Sequence, residues 1–275
     1  MYLDFPSLFK SAKIELYLIF YQMSKKIILI VIAILIVLAV VGWFYPKKIV
    51  NILTKYPTSS SVAPEIKNVN VDETTGKYEV RAKYPEFNGS SAFFDLNNLV
   101  REKIQSAIDG FKADAEQNSI AEVGALSSIQ IDYETFAFND KIASIRFGTE
   151  YYIAGMAHPN FYYETLNYNL KDNKEIILVD LFSSGSDYLS VLSTISREVL
   201  KNQIESDYYS EDFVNPGTEP SLENFQVFNF TSDKLTITFN PYQVGPWVAG
   251  PQFVEIPFDQ LGDITGESET IQLIR

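Results

Sequence analysis

Residues 27–44 are eighteen consecutive Ile, Leu, Val, Ala, Gly, Trp and Phe side chains without a charge. As a helix rising 1.5 Å per residue, such a run spans ~27 Å, close to the hydrocarbon thickness of a bilayer. Trp43 and Tyr45 stand at its far end, where amphipathic rings favour the membrane interface, and Pro46 ends it. A buried core helix would show polar punctuation. A cleavable leader would have a shorter apolar run and small residues at the cut, whereas Gly42-Trp43-Phe44-Tyr45 is mostly bulky. The expectation is a transmembrane helix over 27–45, in contact with membrane lipid through 27–44.

Orientation follows less directly. Lys25 and Lys26 precede the apolar run, and Lys47, Lys48 and Lys55 follow it, so the basic residues nearly balance. The preceding segment is short and the following one is long enough to fold. The expectation is therefore a short cytoplasmic N-terminus over 1–26 and an extracytoplasmic C-terminal part in a single-pass cell-membrane protein. Met23-Ser24-Lys25-Lys26 also reads as a translation start, which would place 1–22 upstream of the translated chain.

The net charge is −13. Residues 1–45 hold four basic and two acidic side chains, so the remainder carries 18 against 33, or −15. That balance argues against nucleic acid as a partner, because phosphates demand a cationic surface. It suits a solvated surface first, and a cationic protein second. The chain has no cysteine, which removes thiolate catalysis, Cys-ligated zinc and a lipidated cysteine. An exported domain of this size can still be held together by its core alone.

Residues 46–64 form a linker, polar and Pro/Ser-rich from 54 onward. Alternating apolar residues then predict strands at 66–71 and 77–84. The period changes at Leu96, Leu99, Val100, Ile104, Ala107, Ile108 and Phe111, which predicts a helix over 93–118. Strands are expected at 129–138, 142–154, 161–170 and 175–178, a second helix over 186–205, and strands at 225–230, 235–240 and 253–257. Short turns join most of these strands. The predicted fold class is α+β, with antiparallel sheets each packed by a helix, preceded by one transmembrane helix. The expected domains are a small N-terminal α/β domain over 65–139, a larger one over 140–263, and a tail over 264–275.

The one histidine, His158, sits in Gly155-Met-Ala-His158-Pro-Asn160, between two aromatic strands. No Gly-x-Ser-x-Gly elbow accompanies it, and a hydrolytic zinc site usually needs more than one histidine. The plain expectation is a tight connection in which the imidazole bonds nearby backbone. Residues 240–251 hold three Pro and two Gly with Tyr242 and Trp247. The loop either tucks Trp247 into the core, which is the simpler expectation, or offers both rings to a sugar face or a protein partner. Asp180, Glu198, Asp207, Glu211 and Asp212 are numerous, but no spacing selects a catalytic pair. No motif requires a cofactor or a metal, and no catalytic residue is assigned. Tyr242, Trp247, His158 and Asn160 are the candidate ligand-binding residues.

The ordered set Gly155-Met-Ala-His158-Pro-Asn160, Leu166-Asn-Tyr-Asn-Leu170, Ile177-Leu-Val-Asp180-Leu-Phe182, the 239–251 loop and Val254-Glu-Ile-Pro257 resembles the RsiV C-terminal-like domain family. The resemblance covers roughly 140–262, and 65–135 resembles the smaller domain that usually precedes it. It implies the exported half of an anti-sigma factor, or the non-catalytic part of a peptidoglycan deacetylase. The segment ahead of the anchor is too short for a sigma-binding domain, and no deacetylase chemistry can run on His158 alone. What the resemblance implies is a non-enzymatic, membrane-anchored binding or sensing module of the bacterial cell envelope, with a lysozyme-like cationic protein as partner. The alternative is a module that binds cell-wall glycan.

Overall fold

The computed structural model describes residues 64–117, 126–266 and 268–274. The expected cytoplasmic segment, the 27–45 helix and nearly all of the 46–64 linker lie outside the described residues. Among the described residues, no helix is long and apolar enough to cross a membrane.

Six strands form the main sheet: β1 (Glu65–Thr74), β2 (Tyr78–Asn88), β3 (Ser127–Phe138), β4 (Ile142–Tyr152), β5 (Asn160–Asn169) and β6 (Lys174–Glu175). They lie side by side in chain order. Helix α1 (Phe93–Gln117) joins β2 to β3, and because the chain crosses over in this way those two strands are parallel. This corrects the expectation of purely antiparallel sheets, since every other neighbouring pair in the sheet is antiparallel. Residues 139 and 140, where the two expected domains meet, lie in the hairpin between β3 and β4, so one sheet runs through that point.

Helix α1 buries Phe93, Leu96, Val100, Ile104, Ile108, Phe111 and Ala115, spaced three or four residues apart along one side. They pack on Val80, Ala82, Ile129, Ile131, Ala143, Ile145, Phe147, Leu166 and Tyr168, which are alternate residues of β2 to β5. The residues between them therefore face the other side of the sheet. One extra residue, Phe136, interrupts the β3–β4 register between Thr135 and Ala137. This bulge resets the alternation, so Ala137 packs into the second core while Phe138 stays in the first.

That second core lies under a three-stranded antiparallel sheet, β7 (Phe228–Phe230), β8 (Lys234–Phe239) and β9 (Gln252–Pro257). Strand β7 packs on β3, β4 and β5. Helix α2 (Tyr188–Gln203) covers β9 and contributes Leu192 and Leu200 to this core. Each sheet thus has its own packed helix, as the pattern predicted. A short helix α3 (Glu211–Gly217) was not expected; Ser210 caps it by accepting from the Asp212 N–H at 3.2 Å. Residues 175–178 form only the end of β6 and the start of a 3-10 turn (Leu178–Leu181). Helix α4 (Phe258–Leu261) follows β9 directly. The tail is also structured, because α5 (Glu269–Ile274) buries Ile271 and Ile274.

An ion pair ties β1 to α1. Glu73 accepts from the Lys112 ammonium and, at 2.9 Å, from the Tyr78 hydroxyl. Those bonds hold the Glu73 carboxyl below its usual value. A carboxyl whose folded pKa is depressed stabilises the fold above its unfolded pKa, and that contribution is lost as pH falls through the folded value. Acid titration of stability should therefore be shallower in Glu73→Gln. Indistinguishable acid limbs for the two proteins would show that the pair does not couple to folding.

Candidate functional site

Where the three-stranded sheet does not cover it, the second face of the main sheet is open, and the strand registers fix what lies there. Gln130, Asp132 and Glu134 on β3 stand opposite Glu150, Gly148 and Arg146 on β4. These in turn stand opposite Phe161, Tyr163 and Thr165 on β5. The glycine at the centre contributes no side chain. A Cβ there would stand 3.0 Å from Tyr163 Cε1 and 3.3 Å from Phe161 Cζ, so the two rings already lean over it. The result is a hollow of about 230 Å³, walled by these two rings and by Gln130, Asp132, Glu134, Arg146 and Glu150.

Arg146 closes one end of the hollow. Its guanidinium carbon lies 4.5 Å from the Phe253 ring centre, 4.7 Å from Tyr163 and 4.8 Å from Phe136, the bulge residue. Nη2 donates to Glu134 Oε2 at 2.6 Å and Nη1 to Thr238 Oγ1 at 3.3 Å. A planar cation among three rings is favoured by the ring quadrupoles, and lysine could not reproduce the stacking. Burial pushes the Tyr163 phenol above its ordinary value, with the Arg146 charge opposing.

The 240–251 loop is fastened to the same wall. The Asn240 carboxamide accepts from the Tyr163 N–H at 2.7 Å and donates to the Tyr163 carbonyl at 3.1 Å, as a neighbouring strand would. Tyr163 also packs edge-on against Phe253 of β9. Of the four residues expected from sequence, two come together: the His158 and Trp247 rings lie 4.5 Å apart at 39°. Trp247 is not tucked into the core, as the simpler expectation had it; it keeps 38% of its surface exposed. Pro246 and Gly250 bracket a single 3-10 turn there, and the indole rests against the His158 ring. His158 bonds the backbone through Nδ1, 2.8 Å from the Pro159 carbonyl, and Gly155 upstream has φ 99°. Asn160 instead donates to the Tyr151 hydroxyl on β4 at 3.3 Å. Tyr242 is exposed at φ 71°, a left-handed conformation that costs a non-glycine residue ~1 kcal/mol or more.

Sequence reading missed the hollow itself. Its signal was Arg146, Gly148 and Glu150 at a spacing of two inside a strand whose other face is mostly apolar, with glycine marking a close approach. The five acidic residues weighed earlier lie elsewhere, and Asp180 accepts from the Ile177 N–H beside its own 3-10 turn. Among the described residues, no group of three His, Cys, Asp or Glu could hold a metal ion.

Residues 179–259, which run from the 3-10 turn through β9, match the family described as "Protein of unknown function (DUF3298)". A DUF3298 domain is present. Over 242 residues the chain is 26% identical to the peptidoglycan-N-acetylmuramic acid deacetylase PdaC of Bacillus subtilis (strain 168). That match covers 86% of this chain and 50% of the relative, so the chain spans half the length of that protein. Two solved DUF3298 structures share the fold. One, from Bacteroides fragilis, covers 78% of this chain and 98% of its own at TM-score 0.55 and 15% identity. The other, from Pseudomonas aeruginosa, covers 76% and 97% at TM-score 0.52 and 14% identity. The expected resemblance to an envelope-protein family thus meets a DUF3298 match over 179–259 and a likeness to the deacetylase.

Proposed function

We propose that the described part of this chain is a non-enzymatic binding module of the cell envelope, held outside the membrane by residues 27–45, and that it binds cell-wall glycan. The observation that carries this reading is the hollow above Gly148. It sets aromatic rings beside planar polar side chains (Gln130, Glu150 and Arg146) in a space the size of a single sugar ring. Sugars are recognised by that pairing, their C–H faces lying on rings and their hydroxyls bonding amides and carboxylates. The part-exposed Trp247 adds a second stacking surface on the loop fastened to Tyr163. The peptidoglycan named for the deacetylase relative agrees with this ligand class.

A second reading has its own support. The net charge of −13 favours encounter with a cationic protein such as a lysozyme-like enzyme, which the family resemblance also implies. Co-sedimentation of the full chain in detergent with purified peptidoglycan, beside capture on immobilised lysozyme, separates the two. Retention on glycan should fall about tenfold in Trp247→Ala combined with Phe161→Ala. Capture by lysozyme alone, weakening steeply as salt rises, would favour the protein reading and remove the glycan one. Location is tested separately: externally added protease should cut the C-terminal part in intact protoplasts, and protection of that part would reverse the orientation.

A further inference from the structure

We propose that the hollow above Gly148 selects an amino sugar carrying a free ammonium over its N-acetylated counterpart. The inference rests on the glycan reading and adds to it the chemical group that is recognised.

The charges around the hollow do not cancel. Glu134 is held by Arg146 at 2.6 Å. Asp132 is held by Lys83 at 3.1 Å, and it also accepts from the Tyr133 N–H at 2.8 Å. Glu150 has no hydrogen-bond or ion-pair partner among the described residues, and it is exposed. One carboxylate of the wall is therefore left to a ligand.

Its position matters as much as its charge. In the β4–β5 register Glu150 stands directly opposite Phe161, and Gly148 directly opposite Tyr163. Cross-strand partners have Cβ atoms ~5 Å apart on the same face. A ring lying on Phe161, whose own ring covers Gly148, thus brings one of its substituents against the Glu150 carboxylate. An ammonium there gains a charge-assisted hydrogen bond. An acetamido group at the same place has lost the charge and adds bulk to a space of about 230 Å³. The ligand class that offers an apolar ring face and an ammonium together is a hexosamine. A lysine side chain offers the charge but no ring to cover Phe161 and Tyr163.

The test uses the full chain in detergent and three probes at one ionic strength: the β-1,4-linked tetramer of glucosamine, the same tetramer N-acetylated, and tetralysine. Titration calorimetry should show the glucosamine tetramer binding at least tenfold tighter than the other two. That preference should vanish in Glu150→Gln, which changes an exposed side chain, while Phe161→Ala should weaken both tetramers. Equal affinity for the two tetramers, or a preference that survives Glu150→Gln, would overturn the selection and leave the glycan reading standing. Tetralysine binding as tightly as the glucosamine tetramer would show a general cation site and overturn it too. Failure of both tetramers to bind would bring down the glycan reading with it.

Discussion

Gly217→Ala is expected to lower unfolding stability by ~3 kcal/mol and to loosen the 240–251 loop, with urea denaturation as the measurement. Gly217 ends helix α3 against Gln243 and the buried Val244 of that loop. A Cβ there would lie 2.0 Å from the Gln243 carbonyl oxygen and 2.8 Å from Val244 Cγ1. The first of these is backbone and cannot swing aside, so either α3 or the loop must move. Gln243 is the hub of the contact: its Nε2 donates to the Gly217 carbonyl at 3.2 Å and to the Asn224 carbonyl at 2.9 Å. Its Oε1 accepts from the Asn240 N–H at 3.2 Å, and the Asn240 side chain grips Tyr163. A methyl group at the end of α3 is thereby connected, through two side chains, to the wall of the hollow. Glycan retention should fall together with stability. A midpoint shift worth less than ~0.5 kcal/mol would mean that the loop is not held as described.

The second large effect is expected at a smaller side chain. Ser144→Ala should cost ~2–4 kcal/mol, read from the same denaturation curves. Ser144 lies wholly buried on β4, where β7 packs on the main sheet. Its hydroxyl donates to Asn167 Oδ1 at 2.6 Å and accepts from Asn229 Nδ2 at 3.0 Å and from the Phe230 N–H at 3.2 Å. Asn167 continues the chain by donating to the Phe228 carbonyl at 2.8 Å. Deleting one oxygen therefore strands three polar groups out of reach of water, and the penalty comes from those groups more than from the bonds lost. The two asparagines are 4% and 0% exposed, so solvent is not a ready substitute. A cost below ~1 kcal/mol would show that the asparagine side chains re-pair with each other.

Much of the fold was legible because local patterns dictate it. Helix α1 has a seven-residue apolar stripe, and its observed span ends within a residue of the expected one. The hairpin from β3 to β4 follows from two alternating runs around Asn139-Asp140, where the Asn139 side chain accepts from the Ile142 N–H at 2.9 Å. The parallel β2–β3 pair was not legible, because neighbours in a sheet are set by where the chain returns and not by either strand. Helix α3 was hidden by composition. Glu211, Asp212, Asn215 and Pro216 read as a loop, yet Ser210 caps the helix and Val214 is buried. Residues 264–275 read as a tail because the stripe of α5 is too short to stand out.

The candidate site was legible only in part, for a related reason. Trp247 and His158 are rare residues and drew notice singly, and their ring contact joins two segments about ninety residues apart in the chain. Arg146, Gly148 and Glu150 become a wall only when β3 and β5 flank them in one particular register. Shifting either neighbour by a single residue would turn those side chains against the wrong partners.

The carboxamide grip of Asn240 has a sequel for how the protein keeps company at high concentration. Among the described residues, strand β6 pairs with β5 only at Tyr168 and Asn169, and no other strand lies along the outer edge of β5. Asn240 occupies that edge at Tyr163, and Asn97 does the same for β2 at Phe87, with bonds of 2.8 and 2.9 Å beyond the point where β2 parts from β3. A bare edge of this kind is a template on which another chain can add itself. With leucine at 240 that edge would lose its cover at Tyr163, and copies of the protein at high concentration should begin to pair along β5, read as a rise in sedimentation coefficient.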